Sequence, residues 1–168
     1  MVDVEIKTGS NFSQDEIIES LKKHALWLED KDDPQGVRLD WSNSISDGCT
    51  LINVNLKNAD LSGASFTKAN LSFSDLSGAD LMGVDFSDAT LTSTIFTGAN
   101  MRGAICTAAK MRDSILRDAK LSYTTFCGAI MEKADLVGAN LGEEEALSHA
   151  DFSCAQLDGA IFRVSKNG

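Results

Sequence analysis

Residues 59 to 83 read Ala59-Asp60-Leu61-Ser62-Gly63, Ala64-Ser65-Phe66-Thr67-Lys68, Ala69-Asn70-Leu71-Ser72-Phe73, Ser74-Asp75-Leu76-Ser77-Gly78, Ala79-Asp80-Leu81-Met82-Gly83. A large apolar residue returns every fifth position, preceded two places earlier by a small one. Working outward, the apolar centres run from Leu51 to Leu141 without a charged or strongly polar member, through Leu56, Phe86, Leu91, Phe96, Met101, Cys106, Met111, Leu116, Leu121, Phe126, Met131 and Leu136. From Leu56 onward the residue two places before each centre is Ala, Val, Ser or Thr. Both positions must point inward. A period of five cannot lie on a helix, where five residues advance about 500° and smear the stripe around the cylinder. It cannot lie on a continuous strand either, because an odd repeat flips the apolar position to the other face at every step. The chain therefore turns within each repeat. Gly63, Gly78, Gly83, Gly98, Gly103, Gly128 and Gly138, with Asn58, Asp88, Asp113 and Asp118, stand two places after the centre, where residues tolerant of turn conformations are wanted.

Ala59-Asp60-Leu61, Ala69-Asn70-Leu71, Ala79-Asp80-Leu81 and Ala139-Asn140-Leu141 resemble the A-(D/N)-L-x-x motif of the pentapeptide-repeat family. The resemblance implies an all-β solenoid, a right-handed quadrilateral β-helix in which four repeats make one coil and coils stack at the inter-strand spacing of about 4.8 Å. Ladders of residues twenty apart follow, such as Phe66, Phe86 and Phe126 with Cys106 between them, and Leu51, Leu71, Leu91, Met111 and Met131. From Trp41 to Phe162 the chain makes about six coils, a rod of roughly 29 Å.

The solenoid spans residues 39–163, preceded by a strand and capping helix in 1–38 and followed by a tail, 164–168. Phe12-Ser13-Gln14-Asp15-Glu16-Ile17 reads as a hydrophobic staple around a capping box, with Ser13 as N-cap and Glu16 at N3. A helix over about residues 14 to 29 follows, its apolar stripe being Ile17, Ile18, Leu21, Ala25 and Leu28. It is expected to cover the first coil, since solenoid ends expose core and unpaired backbone. Ahead of it, Val2, Val4 and Ile6 alternate with Asp3, Glu5 and Lys7, as in an edge strand that pairs with a coil. The first coil departs from the family pattern, with Trp41 where Leu is usual and polar Ser46 at the next centre. After Leu141 the centres read Leu147, Phe152, Leu157 and Phe162, a slip of one residue at about 142–146 that calls for a bulge at Glu143, Glu144 and Glu145.

Composition narrows the function. The net charge of −10 disfavours direct contact with nucleic acid or anionic membranes. No apolar run could span a bilayer or serve as a secretory signal. Cys49, Cys106, Cys127 and Cys154 lack metal-ligand spacing, so a reduced, cytoplasmic chain without cofactor or metal is expected. His24 and His149 sit in no nucleophile or metal constellation and read as structural or surface residues. The paired carboxylates Asp60 and Asp80 follow from the motif, and a convex rod has no pocket to perturb them. The chain is therefore expected not to be an enzyme.

Charge runs in bands. Six acidic residues from Asp47 to Asp88 face only Lys57 and Lys68, whereas Arg102, Lys110, Arg112, Arg117 and Lys120 form a basic girdle before acidity returns. The expected function is a protein-binding or scaffold role, with the partner another protein of unspecified identity. The alternative, implied by resemblance to family members that mimic DNA, is binding to a DNA-binding enzyme such as DNA gyrase. Glu143, Glu144, Glu145, Asp60 and Asp80 are the candidate contacts in either case. Phe152, Leu157 and Phe162, in a last coil with no second cap in view, are the candidate face of a homodimer. Among the repeats, Phe73 and Tyr123 are the aromatic residues expected to project outward.

Overall fold

In the computed structural model, which describes residues 4–5, 11–142 and 150–161, the repeats wind into a parallel β-helix. Parallel bridges run Asp40↔Asp60↔Asp80↔Asn100↔Lys120↔Asn140 along one face, and the neighbouring faces carry ladders through Ile45, Thr50 and Asn55. Four faces of five residues close one coil, and each face is six coils deep. Every coil holds the next through pairs such as Leu61 N–H to Asp80 O, 2.9 Å, and Asp80 N–H to Ala59 O, 2.9 Å.

The corner explains the period. In a typical repeat the N–H of the fourth residue closes on the carbonyl of the centre, as from Ala59 to Leu56 at 3.1 Å, and the residue between has positive φ. That is the type II turn pattern. From Asn43 to Gly138 all twenty corners are left-handed, glycine or not. The Gly, Asn and Asp corners expected from the sequence are among them, but so are Lys68, Phe73, Ser93, Ala108, Tyr123 and Lys133, where propensity is overridden by the closed coil.

Turning at every repeat aims all the centres from Leu51 to Leu136 inward, and each is buried. Each such Leu or Phe removes apolar surface worth about 1.5–3 kcal/mol. Phe66 and Phe86 stack with centroids 5.7 Å apart, as the twenty-residue ladder requires. Trp41 and Ser46 are buried too, so the first coil keeps the inward register despite its unusual residues. Where the small inward position is Ser74, its hydroxyl donates to Leu51 O at 2.8 Å and accepts from Val54 N–H at 3.1 Å, replacing that corner's own closing bond.

The first coil is capped. The helix α1 spans Gln14–Glu29, with Ser13 Oγ accepting from Glu16 N–H at 3.3 Å and Glu16 Oε2 accepting from Ser13 N–H at 2.7 Å, the reciprocal capping box. Ile17 is buried against the coil, Phe12 and Leu21 pack beside it, and the Phe12 ring lies 5.7 Å from that of Trp41. One member of the expected stripe is corrected. Ala25 is exposed, and the buried place belongs to His24, whose Nδ1 accepts from Leu39 N–H at 3.0 Å. That bond ties the helix to the chain's path into the solenoid. The strand β1, Val4–Glu5, pairs antiparallel with β2, Thr50–Leu51, and Asn11 bonds both backbone groups of Ile45. Open edge groups of the first coil are thereby satisfied.

The register slip is larger than one residue. Bridges join residues twenty apart up to Lys120↔Asn140, but from Thr125↔Asp151 to Asp135↔Ile161 they join residues 26 apart. Six residues therefore leave the coil wall. Ala150 N–H donates to Leu141 O at 2.8 Å, closing the base of the excursion, and Phe152 is the centre that stacks on Phe126, whereas the expected centre Leu147 lies outside the described residues.

Candidate interaction surface

Outside the core, each repeat shows the residue before the centre and the two after it. Asp and Asn before the centre are largely committed to the fold. Their Oδ1 accepts the N–H two residues on: Ser62 to Asp60 at 3.1 Å, Met82 to Asp80 at 3.1 Å, Ser77 to Asp75 at 3.0 Å. These are Asx turns, which orient the chain toward the corner. Asp60 and Asp80 do stack as adjacent members of one ladder, and Asn100 Nδ2 adds a bond to Asp80 at 3.0 Å. Both carboxylates thus serve the wall first and leave one oxygen for a partner. The same turn holds Asp40 and Asp151 below the usual carboxylate range, through Ser42 and Ser153. Asp75 is also lowered, burial being outweighed by hydrogen bonds from Ser77 and by Lys57, whose ammonium lies 3.0 Å away.

The basic girdle is thinner than the sequence suggests. Arg112 pairs with Glu132 at 2.7 Å and Arg117 with Asp135 at 2.6 Å, each reaching one coil onward. Residues twenty apart are neighbours here, so acids that sequence distance separates from the girdle neutralise it. Arg102, Lys110 and Lys120 remain exposed. Arg102 and Lys120 share the face that carries Asp40, Asp60 and Asp80, which therefore passes from acidic in its first three coils to basic in the next two.

On that face the corner column runs Asn43, Gly63, Gly83, Gly103, Tyr123. Tyr123 sits at φ 61 and is 58% exposed, a bulky ring in a conformation that costs an L residue about 1–2 kcal/mol. Met82 is exposed on the same face, and Ile105 begins the next. Phe73, at φ 64 and 59% exposed, projects likewise from the opposite corner of the coil. Both aromatic projections were legible in the sequence, and Met82 and Ile105 stand at outward positions of the same repeat, after and before a centre.

Of the other candidate contacts, Glu143, Glu144 and Glu145 lie outside the described residues, as do Phe162 and His149. Phe152 and Leu157 are half-buried and form the last layer of the core among the described residues, Phe152 stacking on Phe126. A cleft of about 170 Å³ opens where α1 meets the coil, lined by Ser20, Lys23, Val37, Arg38, Leu39 and Asp40. That is below the 300–1,000 Å³ usual for small-molecule sites.

The family model of pentapeptide repeats matches the chain over residues 47–82, 79–118 and 116–143, more than half its length. Among solved structures, the chain is similar to the pentapeptide-repeat protein Rfr23 of the cyanobacterium Cyanothece 51142, with 20% identity, 85% of this chain and 95% of that one covered, and a TM-score of 0.57. It is also similar to alr5209, a pentapeptide-repeat protein of Nostoc PCC 7120, with 27% identity, 61% and 84% covered, and a TM-score of 0.50. No curated protein sequence matches it. These likenesses give the solenoid its hand: a right-handed β-helix with an N-terminal helix.

Proposed function

The chain belongs to the pentapeptide-repeat family, and from that premise we propose that it works by binding another protein, as a rigid non-catalytic scaffold. The observation that carries this reading is Tyr123, held at a strained corner in a column otherwise built of Asn and Gly. Bulky side chains persist in the left-handed region where the surroundings over-determine them, and such strain clusters at functional sites. Glycine would relieve it at no cost to the core, because the ring points outward. Around it, Met82 supplies apolar surface and Arg102 and Lys120 supply charge, the mixture of an aromatic anchor and arginine that marks binding hot spots. A rod held by continuous backbone ladders loses little entropy on binding.

DNA mimicry would instead need an unbroken acidic surface. Arg102, Lys110 and Lys120 interrupt it, and Asp60 and Asp80 spend part of their hydrogen-bonding capacity on the wall.

The test is a nuclease-treated pull-down from the source organism's lysate, comparing the chain with Tyr123→Gly and with Arg102→Glu/Lys120→Glu. A partner lost with either variant supports this face as the contact. Equal recovery by all three would overturn it, and recovery of a DNA-binding enzyme insensitive to these changes would favour mimicry.

A further inference from the structure

The six-residue excursion brings two cysteines together. Gly128 N–H donates to Ser153 O at 2.9 Å and Gln156 N–H to Ala129 O at 2.8 Å, fixing the fifth and sixth coils in register with Cys127 opposite Ser153. Cys154 is the next residue along. One inter-strand step of about 4.8 Å and one residue of about 3.8 Å put the two Cα atoms about 6 Å apart, within the 4.4–6.8 Å that a disulfide spans. Neither side chain is in the core: Cys127 is half-buried, and Cys154 is exposed at a corner of φ 55. The corner below it is Gly128, where an added Cβ would meet nothing within 4 Å, so the thiols have room to approach. The other two cysteines are sealed inside, their thiols pushed up by burial, Cys49 to about 12.

We propose that Cys127 and Cys154 form a reversible oxidation site that closes to an inter-coil disulfide and clamps the last described coil onto the one before it. The oxidant is a peroxide. The exposed Cys154 thiolate attacks one peroxide oxygen, giving a sulfenic acid and, after protonation of the leaving oxygen, water. The Cys127 sulfur then displaces that hydroxyl as a second water and forms the S–S bond. The two thiols thus surrender two electrons and two protons, and hydrogen peroxide becomes two waters. A small dithiol returns the pair to the reduced state by exchange. The clamp acts on the coil that carries Phe152 and Leu157, which are half-buried where every centre from Leu51 to Leu136 is buried.

The full-length chain is treated with hydrogen peroxide, its remaining thiols are alkylated under denaturing conditions, and its peptides are mapped by mass. The expected product is a Cys127–Cys154 crosslink within one chain, with Cys49 and Cys106 alkylated, and reversal by dithiothreitol. Hydrogen exchange at Gln156 and Ile161 is expected to slow by roughly tenfold or more on oxidation. Cys127→Ser and Cys154→Ser, both outside the core, must each abolish the crosslink. Over-oxidation of Cys154 beside a free Cys127 thiol, or a bond between copies, would overturn the proposal.

Discussion

The ring of Phe126 stacks on that of Phe152 with centroids 4.9 Å apart and planes 11° from parallel, although the two are 26 residues apart where Phe66 and Phe86 are twenty apart. The core thus stays continuous across the excursion. Phe126→Ala, in a fully buried site, is expected to cost about 3–5 kcal/mol. Phe152→Ala, at a half-buried site, is expected to cost less than half as much. Urea denaturation followed by circular dichroism measures both, and equal costs would mean that Phe152 is fully covered in solution.

His24 makes stability depend on pH. Burial, with a smaller contribution from Arg38, pushes its imidazole below the ordinary 6.5, against the opposing pull of the Lys57 backbone. Between that lowered value and 6.5 only the unfolded chain takes up the proton, so stability is complete above 6.5 and falls as the pH drops through this window. Protonation also removes the acceptor of Leu39 N–H. His24→Gln is expected to flatten this part of the stability profile. The step belonging to Asp40 and Asp151, whose values lie below 3.8, should survive at lower pH. An unchanged slope just below pH 6.5 would count against His24.

Corner chemistry gives opposite signs at two positions of similar φ. At Gly83, φ 66, an added Cβ meets nothing, so Gly83→Ala isolates the backbone cost, about 1 kcal/mol. At Phe73 the native residue already bears that cost, and Phe73→Gly is expected to stabilise by a few tenths to about 1 kcal/mol. Thermal melts of the two variants should move in opposite directions. A destabilised Phe73→Gly would mean that the ring packs in solution.

Two buried serines in one column should respond differently. Ser74→Ala leaves Val54 N–H without its acceptor and is expected to cost about 1–3 kcal/mol. Ser114 Oγ is buried with no hydrogen-bond partner, so Ser114→Ala is expected to be neutral or mildly stabilising. Guanidinium unfolding of the pair reads the difference directly, and similar losses would place an unseen partner on Ser114.

Much of this architecture was legible because the repeat is local. Leu61, Leu81 and Met101 follow the same five-residue grammar, and Ser13 and Glu16 announce α1 within four residues. The size of the excursion was also signalled, although the spacing of apolar centres alone concealed it. Leu147 has Glu145 two places before it, where every centre from Leu56 to Leu141 has a small residue, and a carboxylate aimed into a core is prohibitive. Phe152, preceded by Ala150, satisfies both positions. For Ala25 and His24 no such signal exists, since they are neighbours on the helix and the buried place goes to His24, whose Nδ1 accepts from Leu39 N–H.

What the sequence by itself determined is the wall: an inward residue every fifth place, a turn in every repeat and a capped first end. These depend on side-chain volume and backbone sterics within a few residues, and such constraints are written locally. Only the tertiary structure decided which surface charges cancel, that Asp60 and Asp80 are bound into turns, that Tyr123 stands above a column of glycines, and that Cys127 meets Cys154. Each of these depends on register between coils, and six residues leaving the wall change every pairing beyond them while leaving each repeat's own pattern intact.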